Sequence, residues 1–179
     1  MSIKKRLLRM KNKLICKVSP VKYAKSLGVK MGGGGTKIYS SDVGMWSTEP
    51  WLITIGENVH ITYGVRFITH DGGTLVIDYH EYGSEPFVIC GDIVVGNNVY
   101  IGERTTILPG VKIGDNVIIG AGSVVAKDIP PNTVAAGVPC KPINTRESYV
   151  LKLKDIIAGN NPRYYQDLEY MHSLNPNRK

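Results

Sequence analysis

The stretch Ile68-Thr69-His70-Asp71-Gly72-Gly73 sets an imidazole beside a carboxylate where a run of aliphatic residues breaks off into glycines. An imidazole so placed can take a proton from a hydroxyl as it attacks a carbonyl. If His70 and Asp71 are both extended, their side chains point to opposite sides. Asp71 is then better suited to touching a substrate than to orienting His70. A second chemical cluster is Met45-Trp46-Ser47-Thr48-Glu49-Pro50-Trp51. Trp46 offers an aromatic face with Ser47 and Glu49 beside it, which suits a sugar ring, whereas the plainer reading has Trp46 and Trp51 capping or flanking the fold. The histidines His60, His70, His80 and His172 invite a zinc reading, but the first three are ten residues apart. That spacing fits neither a helical pair nor the repeat described next, so no metal is expected.

The elements that must position these groups emerge from an internal repeat. From Val95 the chain divides into hexads: VGNNVY, IGERTT, ILPGVK, IGDNVI, IGAGSV and VAKDIP. The first position is Val95, Ile101, Ile107, Ile113, Ile119 and Val125, and the frame recurs earlier from Ile55, Ile61 and Phe67. A period of six is not the helical 3.6, and it is a multiple of two. Each hexad therefore predicts a short strand and a corner, with one aliphatic residue pointing inward. Three hexads close one triangular coil, giving an all-β parallel β-helix. The frame lapses after Phe67-Ile68-Thr69-His70 and returns near Ile89, which predicts a loop over about 71–88. A structureless connection of that length is usually functional.

The ends differ from the body. Residues 1–30 hold ten Lys or Arg and no acid, so most of the net charge of +7 belongs to this segment. Its spacing predicts a basic amphipathic helix with Leu7, Leu8, Leu14, Ile15 and Val18 along one side. The first expectation is a cap on the prism end, and the alternative is attachment to an anionic membrane surface. Gly32–Gly35 mark the passage into the prism, and residues 147–179 read as a helical tail interrupted by Gly159-Asn160-Asn161-Pro162 and resuming after Arg163. Cys16, Cys90 and Cys140 have no metal spacing and read as reduced thiols of a cytoplasmic protein. The start has no continuous apolar run of a signal peptide or membrane span. The charge comes without a base-reading motif, so no nucleic-acid partner is expected.

Residues 37–146 resemble the hexapeptide-repeat acyltransferases, most of all the galactoside, maltose and polysaccharide O-acetyltransferases. The resemblance rests on Ile119-Gly-Ala-Gly-Ser-Val-Val-Ala-Lys-Asp-Ile-Pro-Pro-Asn-Thr-Val-Ala-Ala-Gly-Val-Pro-Cys-Lys-Pro-Ile143. It also rests on Asn97-Asn98-Val99-Tyr100-Ile101-Gly102, where Tyr100 takes the place of a tryptophan. It implies a left-handed coil, a sense that crossover physics alone would not favour. It implies acetyl-CoA as donor, a saccharide acceptor such as a cell-surface polysaccharide precursor, and a homotrimer with sites between subunits. His70 then falls at the catalytic base. The backbone N–H of Glu103 falls at the oxyanion donor. Tyr100, Gly120, Ala121, Ala126 and Lys127 fall along the coenzyme's pantetheine arm, with Lys141 and Arg146 near its phosphates. Trp46, Ser47, Glu49 and Asp71 remain for the acceptor. The alternatives are N-acetylation of an amino sugar, a zinc enzyme of the γ-carbonic-anhydrase type, and a non-catalytic β-helix scaffold.

Overall fold

The computed structural model describes residues 3–77, 79–83, 85 and 87–160. The expected resumption of helix after Arg163 lies outside them, as does His172.

The hexads build three parallel faces. The first face stacks Lys30–Met31, Ile53–Ile55, Ile93–Val95 and Lys112–Ile113. The second stacks Lys37–Ile38, His60–Ile61, Tyr100–Ile101, Ile118–Ile119 and Thr133–Ala136, and the third stacks Arg66–Phe67, Thr106–Ile107 and Val124–Val125. Val95 pairs with Lys112–Ile113 at Ile113, and Ile101 with Ile119, so a regular coil takes eighteen residues.

Two positions of each hexad face inward, not one. Val99, Val111 and Val117, at the fifth position, are as buried as Ile101, Ile107 and Ile119 at the first. Positions five, six and one form the strand, so five and one lie on the same side and only six points outward. Tyr100, between Val99 and Ile101, is accordingly exposed. Positions two to four make the corner. At the corner between the first and second faces Asn58, Asn98, Asn116 and Asn132 all have φ of 50–58°. Asparagine tolerates that left-handed geometry better than most residues. The four side-chain amides also form a ladder, with Nδ2–H donating to the next Oδ1 at 3.0, 3.2 and 3.1 Å.

Asn98→Ala should therefore cost about 1–2 kcal/mol, from the left-handed backbone and the two ladder bonds together. Asn98→Gly should recover the backbone part. Denaturant unfolding of the two variants checks the split.

The prism begins earlier than its sequence resemblance. Lys30–Met31 already pairs with Ile53–Ile55, so the glycines 32–35 lie inside the first coil rather than before it. The N-terminal segment is two helices, α1 (Ile3–Val18) and α2 (Pro20–Ser26), because Pro20 disfavours helix at Ser19 and starts a new one. Tyr23 and Ala24 of α2 bury against the prism. Of α1, Cys16 is buried and Ile15 partly so, while Leu7, Leu8, Leu14 and Val18 stay 57–77% exposed. The cap is thus made by α2 and the end of α1, and the expected apolar side of α1 is split. At the other end, Lys141–Thr145 folds back antiparallel on Thr133–Ala136, and helix α3 (Arg146–Ile157) follows, its first turn capped by the Thr145 hydroxyl accepting from the Ser148 N–H.

Candidate active site

His70 stands at the fourth position of its hexad, the corner position that Gly110 fills one coil on. Instead of turning, the chain leaves the corner. Strand His70–Asp71 pairs antiparallel with Ile89–Cys90, and between them runs an arm with a short 3-10 helix at Gly73–Val76. Ile55 pairs with Val95, forty residues on, against the eighteen that separate Val95 and Ile113; the arm accounts for the difference of twenty-two. The arm's base is therefore held by the strand pair, and His70 is fixed at its first residue.

Beneath His70 lies the first coil. The Phe67 N–H donates to the Met45 carbonyl, which puts residues 47–49 under residues 69–71. The Glu49 carboxylate is the centre of what results. Its Oε2 lies 2.8 Å from His70 Nδ1 and accepts the Thr69 hydroxyl at 2.7 Å, while its Oε1 accepts the Thr48 hydroxyl at 2.7 Å. Bonds from Thr69, then Thr48, then His70 hold the Glu49 carboxyl down at about 2, below its ordinary 4.5. An ionised carboxylate only accepts, so the proton between the two groups sits on His70 Nδ1. Nε2 is left with its lone pair, has no described partner, and belongs to a side chain 34% exposed. The arrangement is an imidazole oriented by a carboxylate, with its free nitrogen facing out: the geometry of a general base.

The expected acceptor residues divide. Glu49 is committed to His70 rather than open to a sugar. Trp46 is a correction: it is 1% exposed and stacks on Phe67 inside the core, centroids 5.1 Å apart, because its coil position points inward. Trp51 is the exposed tryptophan. Ser47, at φ 62°, lies under Thr69, whose N–H approaches its hydroxyl at 3.4 Å. Asp71 is exposed and accepts the Gly73 N–H at 2.8 Å, shaping the start of the arm. Thr48 and Thr69 had no separate signal, since the first coil lacks the hexad frame that would have set its register against residues 69–71.

The residues expected along the coenzyme fall elsewhere. Tyr100 lies on the second face in register with His60, which bonds through Nδ1 to the Tyr39 hydroxyl at 2.9 Å. Glu103, Gly120 and Ala121 occupy the corner between the second and third faces. Lys141, paired with Ala136, is exposed at the end of that corner, whereas Arg146 stands across the second face at the asparagine corner, its N–H donating to the Asn132 carbonyl. Gly102 and Gly120 are there for coil stacking: a Cβ on Gly102 would stand 2.5 Å from the Ala121 nitrogen, and one on Gly120 2.8 Å from the Ala136 Cβ. Ala126 and Lys127 lie at the other corner of the third face, the one that carries His70. Within one chain, then, His70 and the Glu103 amide stand at different corners, with the third face between them.

The triangular prism of hexads, interrupted at a carboxylate-oriented histidine, is a parallel β-helix, and comparison with known proteins says to which family it belongs. Residues 92–127 match the family described as bacterial transferase hexapeptide (six repeats). The chain is 40% identical over 155 residues to Protein CapG of Staphylococcus aureus, covering 87% of this chain and 81% of that one. It is 38% identical over 131 residues to the galactoside O-acetyltransferase of Escherichia coli K12, a match over 58% of this chain and 64% of that one. The solved maltose O-acetyltransferase of Clostridium difficile 630 superposes with a TM-score of 0.52 at 28% identity, over 77% of this chain and 88% of that one. The protein belongs to the bacterial hexapeptide-repeat transferase family, and with that membership comes the left-handed sense of its coil.

Proposed function

We propose that the protein transfers an acetyl group from acetyl-CoA to a hydroxyl of a saccharide, with His70 as general base. The observation that carries this reading is the Glu49–His70 pair at the interruption of the coils, with Nδ1 committed to the carboxylate and Nε2 free. His70 Nε2 takes the acceptor's proton as the acceptor oxygen attacks the thioester carbonyl. When the carbon–sulfur bond breaks, the same nitrogen gives the proton to the departing sulfur, so His70 ends as it began. The N–H of Glu103 is the proposed donor to the oxygen that becomes negative in between. The surface around Tyr100, Gly120 and Ala121 is open, with Lys141 exposed towards its end. That suits a long thin thioester arm ending in phosphates. The names of the galactoside and maltose relatives support a sugar hydroxyl as acceptor.

Because His70 and Glu103 stand at different corners of one prism, the site is completed by a second copy. A closed ring of three, each groove walled by two chains, satisfies this with three equivalent sites. The arm carries Leu75, Val76 and Phe87 at 46–89% exposure, apolar surface that a neighbouring chain would cover. Light scattering should give three times the 19.7 kDa of the chain. An active monomer would overturn the shared site. Release of free CoA thiol from acetyl-CoA, measured across a panel of saccharides, tests the reaction itself; no acceptor-dependent release from any sugar counts against it.

A further inference from the structure

Helix α1 presents an apolar stripe that is exposed among the described residues. Ile3, Leu7, Met10, Leu14 and Val18 recur three or four residues apart and are 60–78% exposed. They lie away from Cys16 and Ile15, through which the helix seats on the prism, so closing that contact more tightly cannot bury them. Such a stripe needs an occupant. The charge around it says which kind. Seven of the helix's sixteen residues are Lys or Arg and none is acidic. Beside the stripe itself, Lys11, Lys13 and Lys17 line an open groove with Leu7, Met10 and Leu14, and no carboxylate lines it among the described residues. A second copy of the helix would bring seven further cations and no acidic residue of its own, which argues against a self-paired bundle. An anionic lipid surface meets both features: acyl chains take the stripe, and headgroup phosphates meet the flanking cations, whose long side chains can reach out from a helix lying in the interface.

We propose that α1 docks this protein onto an anionic membrane surface, stripe inward, with Lys11, Lys13 and Lys17 on lipid phosphates. The inference is independent of the acetyl-transfer reading. The full chain should sediment with phosphatidylcholine vesicles containing about a third phosphatidylglycerol, and not with phosphatidylcholine alone. Binding should fall more than about tenfold between 0.1 and 0.5 M salt, as expected for contacts with a charged surface. Leu7→Glu/Leu14→Glu should weaken vesicle binding by at least about tenfold while leaving the far-UV circular dichroism and the particle mass unchanged. Absence of binding to the anionic vesicles overturns the proposal, as does binding that the double substitution does not weaken. A fall in particle mass on Leu7→Glu/Leu14→Glu also overturns it, since the stripe is then covered by another copy.

Discussion

His70→Ala lowers acetyl transfer by about 10² to 10⁴-fold, the usual worth of a positioned general base, and leaves the melting temperature nearly unchanged. The second half follows from where the side chain sits. His70 is 34% exposed and its one strong bond is to a carboxylate that keeps two threonine partners without it. The imidazole is part exposed and is not among the buried core residues, so its loss opens no cavity in the core. The first half follows from chemistry: a hydroxyl, the proposed acceptor, is a poor nucleophile at neutral pH, and Nε2 has no partner among the described residues. The check is steady-state kinetics beside a thermal melt. A drop in kcat with KM for acetyl-CoA little changed is the expected pattern, because the proposed donor-binding residues are other than His70. Near-normal turnover would remove His70 from the mechanism.

Glu49→Gln is expected to cost about 10² to 10³-fold in turnover, through the tautomer rather than through contact with substrate. Three donors, from Thr69, Thr48 and His70, converge on two carboxylate oxygens. An amide leaves them one acceptor oxygen, and its NH₂ can turn to Nδ1. The imidazole then carries its proton on Nε2, where it can no longer accept one from the acceptor. Glu49→Ala should behave similarly, whereas Glu49→Asp should retain more activity if the shorter side chain still reaches Nδ1. A merely structural Glu49 would instead lower stability and activity together in all three.

The pH dependence has a definite sign. Glu49 has its folded pKa lowered to about 2 from 4.5, so its contribution to stability is fully present above 4.5 and is lost as pH falls towards 2. The melting-temperature gap between the wild type and Glu49→Gln should therefore be constant above about pH 5 and close below it. For the same reason, Glu49 stays charged through the working range, and any acid limb in the rate profile must come from another group.

Part of this site was legible before any coordinates. His70 announces itself by standing where an otherwise regular repeat fails, and residues 45–51 stand out as a second cluster of polar and aromatic groups. Which of their polar groups reaches the imidazole could not be read, because the first coil departs from eighteen residues and its register rests on a backbone bond from Phe67 to Met45. Trp46 shows the same limit: a tryptophan beside Ser and Glu reads equally well as a sugar platform or as core, and a single rotation of the backbone decides between them. Nor does α1's pattern of apolar residues say which of them meet the prism; Ile15 and Leu14 are neighbours in sequence, and only the first packs against it.

By itself the sequence determined the three-faced coil, the inward residue at the first position of each hexad and the place where an arm leaves. These are repeated local choices of side chain and backbone angle, and repetition makes each legible from its neighbours. The tertiary structure alone decided that Glu49 holds His70, that Trp46 is core, and that His70 and Glu103 stand at different corners of one prism. Each of those depends on the register between coils far apart in the chain, and register is a property of stacking that no local spacing contains.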